Sequence, residues 1–252
     1  MSLSRTSLRV HADNRVETLG HTIYPFNATN RGVKWSTCDP EIATVSQYGA
    51  VTGRRAGEAT ITVTTDCGEK QAFATVTVLR FFNIGERGPA GGYVFYDNFK
   101  TRKHDGWRFL EMAPSSTEFE ARAGWANMDI NTQVGIGHGR RNTELIVAHI
   151  RLHNNNGRGL HATGRYRRVA WRADELVVTH DGTTFNDWFL PSRDELLAMY
   201  NLGRGGLRRN RYWSSSHTGR NSAWNVDFRD GRESQDRGVA NTLHGRAIRA
   251  FF

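Results

Sequence analysis

Thr60-Ile61-Thr62-Val63-Thr64, a turn at Asp66-Cys67-Gly68, and then Ala72-Phe73-Ala74-Thr75-Val76-Thr77-Val78 decide the fold of the first third of the chain. Apolar and polar residues alternate with a period of two in both runs. That is the pattern of a half-buried strand, because successive side chains leave a strand on opposite faces. The same alternation marks Thr22-Ile23-Tyr24, Val33-Lys34-Trp35, Ala43-Thr44-Val45 and Ala50-Val51-Thr52, with turn chemistry at Asp39-Pro40 and Tyr48-Gly49. Strands recurring every roughly 8 to 12 residues predict an all-β sandwich over residues 1–80, with Trp35 inside it on a middle strand.

The chain has 252 residues, enough for two ordinary domains. With 38% hydrophobic and 23% charged residues it can bury a core, which excludes wholesale disorder and low-complexity architectures. No apolar run approaches the roughly 20 residues of a membrane helix. Met1 to Val10 lacks the basic-then-apolar layout of a secretory signal. The expectation is a soluble chain without signal peptide or membrane insertion. The formal charge is +9, and only four of the 34 basic residues are Lys. Such an Arg excess attracts anionic partners, whether nucleic acid, sulfated glycan or an acidic protein surface, without choosing among them. Cys38 and Cys67 are the only cysteines, so no disulfide framework organises most of the chain.

Past residues 79–83 the texture changes, with Gly-rich turns and six of the seven Trp. Asn142-Thr143 can cap a helix in which Leu145, Ile146, His149, Ile150 and His153 recur at spacings of three and four. Ser192 with Glu195 is a capping box after Pro191, and Leu196, Leu197 and Tyr200 mark the buried face of the helix that follows. A third helical stretch runs from Tyr166 to Glu175. Strands are predicted at Tyr93 to Tyr96, Trp107 to Met112, Tyr212 to Ser216, Ala223 to Phe228 and Ala247 to Phe251. Residues 84–252 therefore read as a mixed α+β domain.

Asn27-Ala28-Thr29-Asn30-Arg31-Gly32-Val33-Lys34-Trp35-Ser36, Asp39-Pro40-Glu41-Ile42-Ala43-Thr44-Val45 and Gly57-Glu58-Ala59-Thr60-Ile61-Thr62-Val63 resemble the group 2 bacterial immunoglobulin-like domain. The resemblance implies a spacer or presentation module without an active site. It also implies that Cys38 and Cys67 lie at opposite ends of the sandwich, beyond the roughly 7 Å that a disulfide allows, and stay free.

Ile84-Gly85-Glu86-Arg87-Gly88-Pro89-Ala90-Gly91-Gly92-Tyr93-Val94-Phe95-Tyr96-Asp97, Asp105-Gly106-Trp107-Arg108-Phe109-Leu110-Glu111-Met112-Ala113-Pro114, Asp187-Trp188-Phe189-Leu190-Pro191-Ser192-Arg193-Asp194-Glu195-Leu196, Tyr212-Trp213-Ser214-Ser215-Ser216 and Arg246-Ala247-Ile248-Arg249-Ala250-Phe251 follow one another in the order of a second family. They are similar to the C-terminal domain of the Legionella collagen-like adhesin. That resemblance implies a C-type-lectin-like fold of the formylglycine-generating-enzyme type, used for ligand binding. The enzyme's chemistry depends on cysteine thiolates and none follows Cys67, so the expectation is a non-catalytic protein without cofactor.

Some members with this ending are variable proteins of diversity-generating retroelements, in which adenines of AAY codons are randomised. The fixed frame of such an ending is kept as Trp213 to Ser216, Ala223-Trp224-Asn225-Val226, Phe228, Gly231 and Arg246 to Phe251. The resemblance thereby implies a variable ligand-binding set of Tyr212, His217, Thr218, Gly219, Arg220, Asn221, Ser222, Asn225, Asp227, Arg229, Asp230, Arg232, Ser234, Asp236, Arg237, Asn241, Thr242, Leu243 and His244. AAY codons reach every residue type except Lys, Gln, Glu, Met and Trp. Between 217 and 245 only Trp224, Glu233 and Gln235 fall outside that range. Physically, Trp213, Trp224 and Phe228 would anchor the core while polar neighbours project from one face.

Other constellations carry less. His149 and His153 are four apart on a helix, but no Glu follows the first, so the metalloprotease motif is absent and no metal is assigned. Gly135-Ile136-Gly137-His138-Gly139-Arg140 lacks the ending of a nucleotide loop and reads as a structural turn. Asp187, Asp194 and Glu195 form no acid/base pair. Arg165, Arg167, Arg168 and Arg172, with Arg204, Arg208, Arg209 and Arg211, could make a basic patch, but without a nucleic-acid-binding fold. The expectation is a two-domain display protein of a virion tail or cell surface that binds a protein or glycan ligand. A fixed adhesin for sulfated glycans is the second reading and a nucleic-acid-binding protein the third.

Overall fold

The computed structural model describes every residue except 102–105, 124–129, 155–167, 220–221 and 238–240, together with the side chains of all but residues 100, 101, 153, 154 and 237 among the rest. The chain forms two compact units, Met1–Phe81 and Phe82–Phe252.

The first unit is built from β1 (Ser2–Leu3), β2 (Ser7–His11), β3 (Val16–Thr18), β4 (His21–Thr22), β5 (Val33–Thr37), β6 (Ala43–Val45), β7 (Ala50–Gly53), β8 (Gly57–Thr65) and β9 (Gln71–Leu79). They form a four-stranded sheet in the order β2-β9-β8-β5, a three-stranded sheet β3-β7-β6 and the short pair β1-β4. This is an immunoglobulin-like sandwich. Its interior holds Leu8, Val10, Ala43, Val51, Ala59, Ile61, Ala74, Val76 and Val78, the inward-facing half of each alternating run. Each buried Val or Ile contributes about 1.5–3 kcal/mol of transfer free energy. Gly49 turns the β6–β7 hairpin at φ +77, where a Cβ would strike the Leu19 carbonyl at 2.4 Å.

Two expectations for this unit need correction. Trp35 lies on β5, which is an edge strand, and is half-buried, because only one face of that strand meets the core. The strand predicted at Thr22-Ile23-Tyr24 ends at Thr22. The cysteines are free and exposed. The antiparallel register Val33↔Thr65 and Thr37↔Ile61 puts Cys38 beside Thr60 and Cys67 past the other end of the pair, as the family topology implied.

The second unit contains β10 (Tyr93–Asp97), β11 (Phe109–Met112), β12 (Phe119–Arg122), α1 (Gly139–Asn154), α2 (Val169–Asp174), β13 (Val178–His180), β14 (Thr183–Phe185), α3 (Arg193–Leu202), β15 (Arg211–Gly219), β16 (Ser222–Asp227), β17 (Glu233–Arg237), β18 (Thr242–Gly245) and β19 (Ile248–Phe251). A three-stranded sheet β10-β11-β19 and a five-stranded sheet β12-β18-β15-β16-β17 are joined by the helices. Within the larger sheet β15 and β18 run parallel and the other neighbours antiparallel. Trp213 and Ala223 share one buried cluster with Ile146 and Ile150 of α1, while Tyr212, Val226 and Phe228 share another with Leu196 and Met199 of α3.

The capping box of α3 is present in both directions, and Gly203 closes that helix in the left-handed conformation. Its buried face is Glu195, Leu196 and Met199, while Leu197 and Tyr200 are only half-buried. Helix α1 starts at Gly139, so Asn142 is not its cap. The Asn142 amide is buried and pairs with the Gln133 backbone in both directions, at 2.9 and 2.7 Å, a tertiary partnership that resembles a cap in sequence. Helix α2 occupies Val169–Asp174 of the predicted 166–175 stretch, whose first two residues lie outside the described ones.

Candidate functional site

The residues from Tyr212 to His244 fall on the five-stranded sheet and its connections. Their burial separates them sharply. Trp213, Ser214, Ser215, Ser216, Ala223, Asn225, Val226 and Arg246 are all at 0% exposure. The serines are satisfied internally: Ser214 donates to the Trp224 carbonyl, Ser215 to that of Pro191 and Ser216 to that of Gln133. A buried hydroxyl without such a partner costs about 1–3 kcal/mol, which is why the Ser-Ser-Ser run can exist only where those carbonyls converge.

Of the expected variable set, Gly219, Arg229, Asp230, Arg232, Asn241 and Thr242 are exposed, and His217, Thr218, Ser222, Ser234, Asp236 and Leu243 are half-exposed, though the ring nitrogens of His217 and the hydroxyl of Thr218 are turned inward. Arg220 and Asn221 lie outside the described residues, as does the side chain of Arg237. Tyr212, Asn225, Asp227 and His244 are interior and correct the expectation that polar neighbours project outward. Tyr212 donates to Glu118 at 2.7 Å and accepts from the Arg208 N–H at 2.7 Å. Asn225 exchanges hydrogen bonds with Ser234 across the β16–β17 register. His244 meets Asn210 at 2.7 Å. Trp224 corrects the expectation in the other sense: it is half-buried, with the Arg193 guanidinium 5.1 Å over its ring.

An ionic cluster ties β15, β16 and β17 together. Arg211 reaches Asp227 at 3.7 Å and Asp236 at 3.1 Å, and Arg229 bonds Asp227 through its Nε and Nη2. The Arg229 side chain beside it holds the Asp227 carboxyl at about 2. Burial, followed by the charge of His149, pushes His217 down to about 4, so this ring is neutral at physiological pH.

The frame is locked from below by two buried arginines. Arg246 donates to the Ala113 carbonyl at 2.8 Å and to Glu118 at 2.7 Å. Arg249 grips Asp187 with Nε and Nη2 and reaches Glu111 at 3.4 Å. The loop 135–140 is a turn as expected, and its Gly137 N–H donates to the carboxyl of Glu195 at 2.8 Å, while the Ser192 N–H donates to the other oxygen at 2.7 Å. Burial outweighs these bonds and raises Glu195 to about 7.

Clefts indent this unit among the described residues. One of about 350 Å³ is bordered by Glu118, Phe119, Glu120, Arg172, Arg208 and His244. One of about 300 Å³ is bordered by Tyr200, Arg204, Leu207, Arg209, Phe228 and Arg229. Another, about 460 Å³, involves Trp107, Arg140, Arg141, Glu144, Phe189 and Glu195 and had no motif to announce it. Its one signal in sequence is a pair of arginines opening a helix. Among the described residues no group of three His, Cys, Asp or Glu comes together as a metal would require. No helix among them is long and apolar enough to cross a membrane.

An uncharacterized protein of Clostridium acetobutylicum is 38% identical over 71 residues, covering 28% of this chain and 7% of that protein. An alpha-L-arabinofuranosidase of Bifidobacterium longum subsp. longum is 46% identical over 57 residues, covering 23% and 5%. The chain thus spans less than a tenth of either relative. Among solved structures, a fimbrial protein from Bacteroides ovatus aligns at 12% identity over 89% of this chain and 65% of its own, with a TM-score of 0.39. Invasin, a bacterial integrin-binding protein, aligns at 12% over 98% and 36%, with a TM-score of 0.24. Residues 1–76 match the bacterial Ig-like domain (group 2) and are a domain of that family.

Proposed function

We propose that this chain is a non-catalytic display protein of a virion tail or cell surface. Its Ig-like unit serves as spacer and its second unit, C-type-lectin-like in fold, binds a protein or glycan ligand through the C-terminal sheet. In the first reading that sheet is diversified by a retroelement. The observation that carries it is the sorting of residues 212–246. Frame positions Trp213 to Ser216, Asn225, Val226 and Arg246 are buried and internally bonded, whereas twelve of the expected variable positions are exposed or half-exposed. A surface built this way tolerates exchange of its contact residues without loss of its core, as binding loops on a rigid scaffold do. Sequencing the DNA that flanks the gene tests it. A near-copy of the segment encoding Tyr212 to Phe252, mismatched only at template adenines and beside a reverse transcriptase, supports diversification. Absence of both sinks it.

The second reading, a fixed adhesin for sulfated glycans, is favoured by one feature, the gathering of Arg204, Arg209 and Arg229 around a single cleft. Guanidinium groups match the oxygens of sulfate in bidentate fashion. Binding to heparin that falls steeply with salt and is lost in Arg204→Ala/Arg209→Ala supports it. Salt-insensitive binding, or none, overturns it.

A further inference from the structure

The cleft beside Trp107 lies away from the expected variable surface: among the described residues, none from Tyr212 to His244 borders it. Its volume of about 460 Å³ falls within the roughly 300–1,000 Å³ typical of small-molecule sites. The apolar wall is Trp107, Leu110, Phe189 and Ala250. Trp107 is half-buried, and its ring stands over the Gly137 backbone, where even a Cβ would come within 3.3 Å. Leu110 and Phe189 back this wall from the core, at 0% and 3% exposure.

The polar side sets Arg140 and Arg141 beside the carboxyl groups of Glu144 and Glu195. Arg140 and Arg141 open helix α1, and its first turn has no acidic residue. Positive charge at a helix N-terminus opposes the macrodipole, so this pair disfavours the free fold locally. Arg140 is held in place, with its guanidinium 4.8 Å over the Phe189 ring and Nη2 on the Asp187 carbonyl at 3.2 Å. The Asp187 carboxylate is committed to Arg249, and it stands 3.9 Å from Arg140. Nε and Nη1 of Arg140 have no hydrogen bond among the described residues. Arg141 is 69% exposed and among the described residues pairs with the exposed Glu144. Glu195 at the base spends its oxygens on backbone N–H groups and does not cancel the arginines outright.

We propose that this cleft is a binding site for an acidic sugar, a pyranose ring carrying a carboxylate. The apolar face of the ring would lie against Trp107 and its carboxylate would engage the outward nitrogens of Arg140, with Arg141 adding charge at the rim. A bare inorganic anion would leave the aromatic wall unused, and a neutral sugar would offer Nε and Nη1 of Arg140 no charged acceptor.

The test is calorimetric and NMR titration of the full chain with D-glucuronate, D-galacturonate, D-glucose and sodium sulfate, each up to about 10 mM. The expected result is binding of a uronate at least about tenfold tighter than glucose or sulfate, with saturation transfer to its ring protons. Arg140→Gln should weaken it about tenfold, the worth of one charge-assisted bond. Arg141→Gln, at an exposed position that the fold does not need, should weaken it less and serves as a second variant should Arg140→Gln unfold. Failure of both uronates to bind, equal binding of glucose or sulfate, or full affinity in both variants overturns the proposal. None of these outcomes bears on the five-stranded sheet, so the two readings fail separately.

Discussion

Replacing Glu195 by Gln should change how the second unit responds to pH more than how stable it is at any one pH. The carboxyl is fully buried, accepts from the Gly137 and Ser192 N–H groups, and is raised from 4.5 to about 7 because burial outweighs those bonds. Between those values the folded protein holds a proton that the unfolded chain has released. Stability therefore falls as pH rises from 4.5 through 7 and is level above. At about 1.36 kcal/mol per pH unit the loss is roughly 3 kcal/mol. His217 acts in the opposite sense: it stays neutral down to about 4 when folded but takes a proton below 6.5 when unfolded, so its contribution is lost as pH falls. Between about 4.5 and 6.5 the two slopes oppose each other, and the unaltered protein shows little net trend from them.

Glu195→Gln removes one slope and leaves the other. Its amide nitrogen faces an N–H donor, a pH-independent cost of about 1–3 kcal/mol. The stability difference between the two proteins should therefore shift by roughly 3 kcal/mol in favour of Gln from pH 4 to pH 8. Urea titrations read by tryptophan fluorescence measure it, since six of the seven Trp lie in the second unit. A difference that stays constant to within about 0.5 kcal/mol across that range refutes the assignment of a proton to Glu195.

Arg246→Ala should destabilise the second unit by about 3–5 kcal/mol, because it empties a fully buried site and removes the guanidinium that bonds Glu118 and the Ala113 carbonyl there; chemical denaturation checks it. Trp213→Ala should cost about 3–5 kcal/mol through the cavity left in the core, whereas Arg232→Ala and Asn241→Ala should stay within about 0.5 kcal/mol in the same assay. Ile61→Ala should lower stability of the Ig-like unit by about 2–5 kcal/mol, read by its thermal unfolding. Both thiols should react with an aromatic disulfide reagent in the native protein. Cys67 should react faster, because the Thr65 hydroxyl and then the Glu69 backbone stabilise its thiolate.

The sandwich was legible because β8 and β9 are long and alternate strictly, so pattern and burial agree residue by residue. Strand β3 was invisible because Val16, Glu17 and Thr18 are all exposed and alternate nothing. Strand β17 has no apolar residue at all, and pairing with β16 alone makes it a strand. The same limit applies to the binding surface. Asn225 and Asp227 look like surface residues, and their partners Ser234 and Arg229 become visible only once the hairpin is closed. The helix start at Gly139 was misread for a related reason, since the Asn142 amide serves Gln133 and not the helix end.

Strands β10 and β19, the first and last of the second unit, flank β11 in one sheet, and Phe82 packs edge-on against Phe251 with ring centroids 5.3 Å apart. Entry and exit of this polypeptide stretch therefore coincide. A module with that property can be spliced into an exposed loop of an unrelated host without prying the host's own chain ends apart. It can equally be permuted by a short linker between its ends and reopened at the β13–β14 turn, around Asp181 and Gly182. The unit is in effect a transferable cassette.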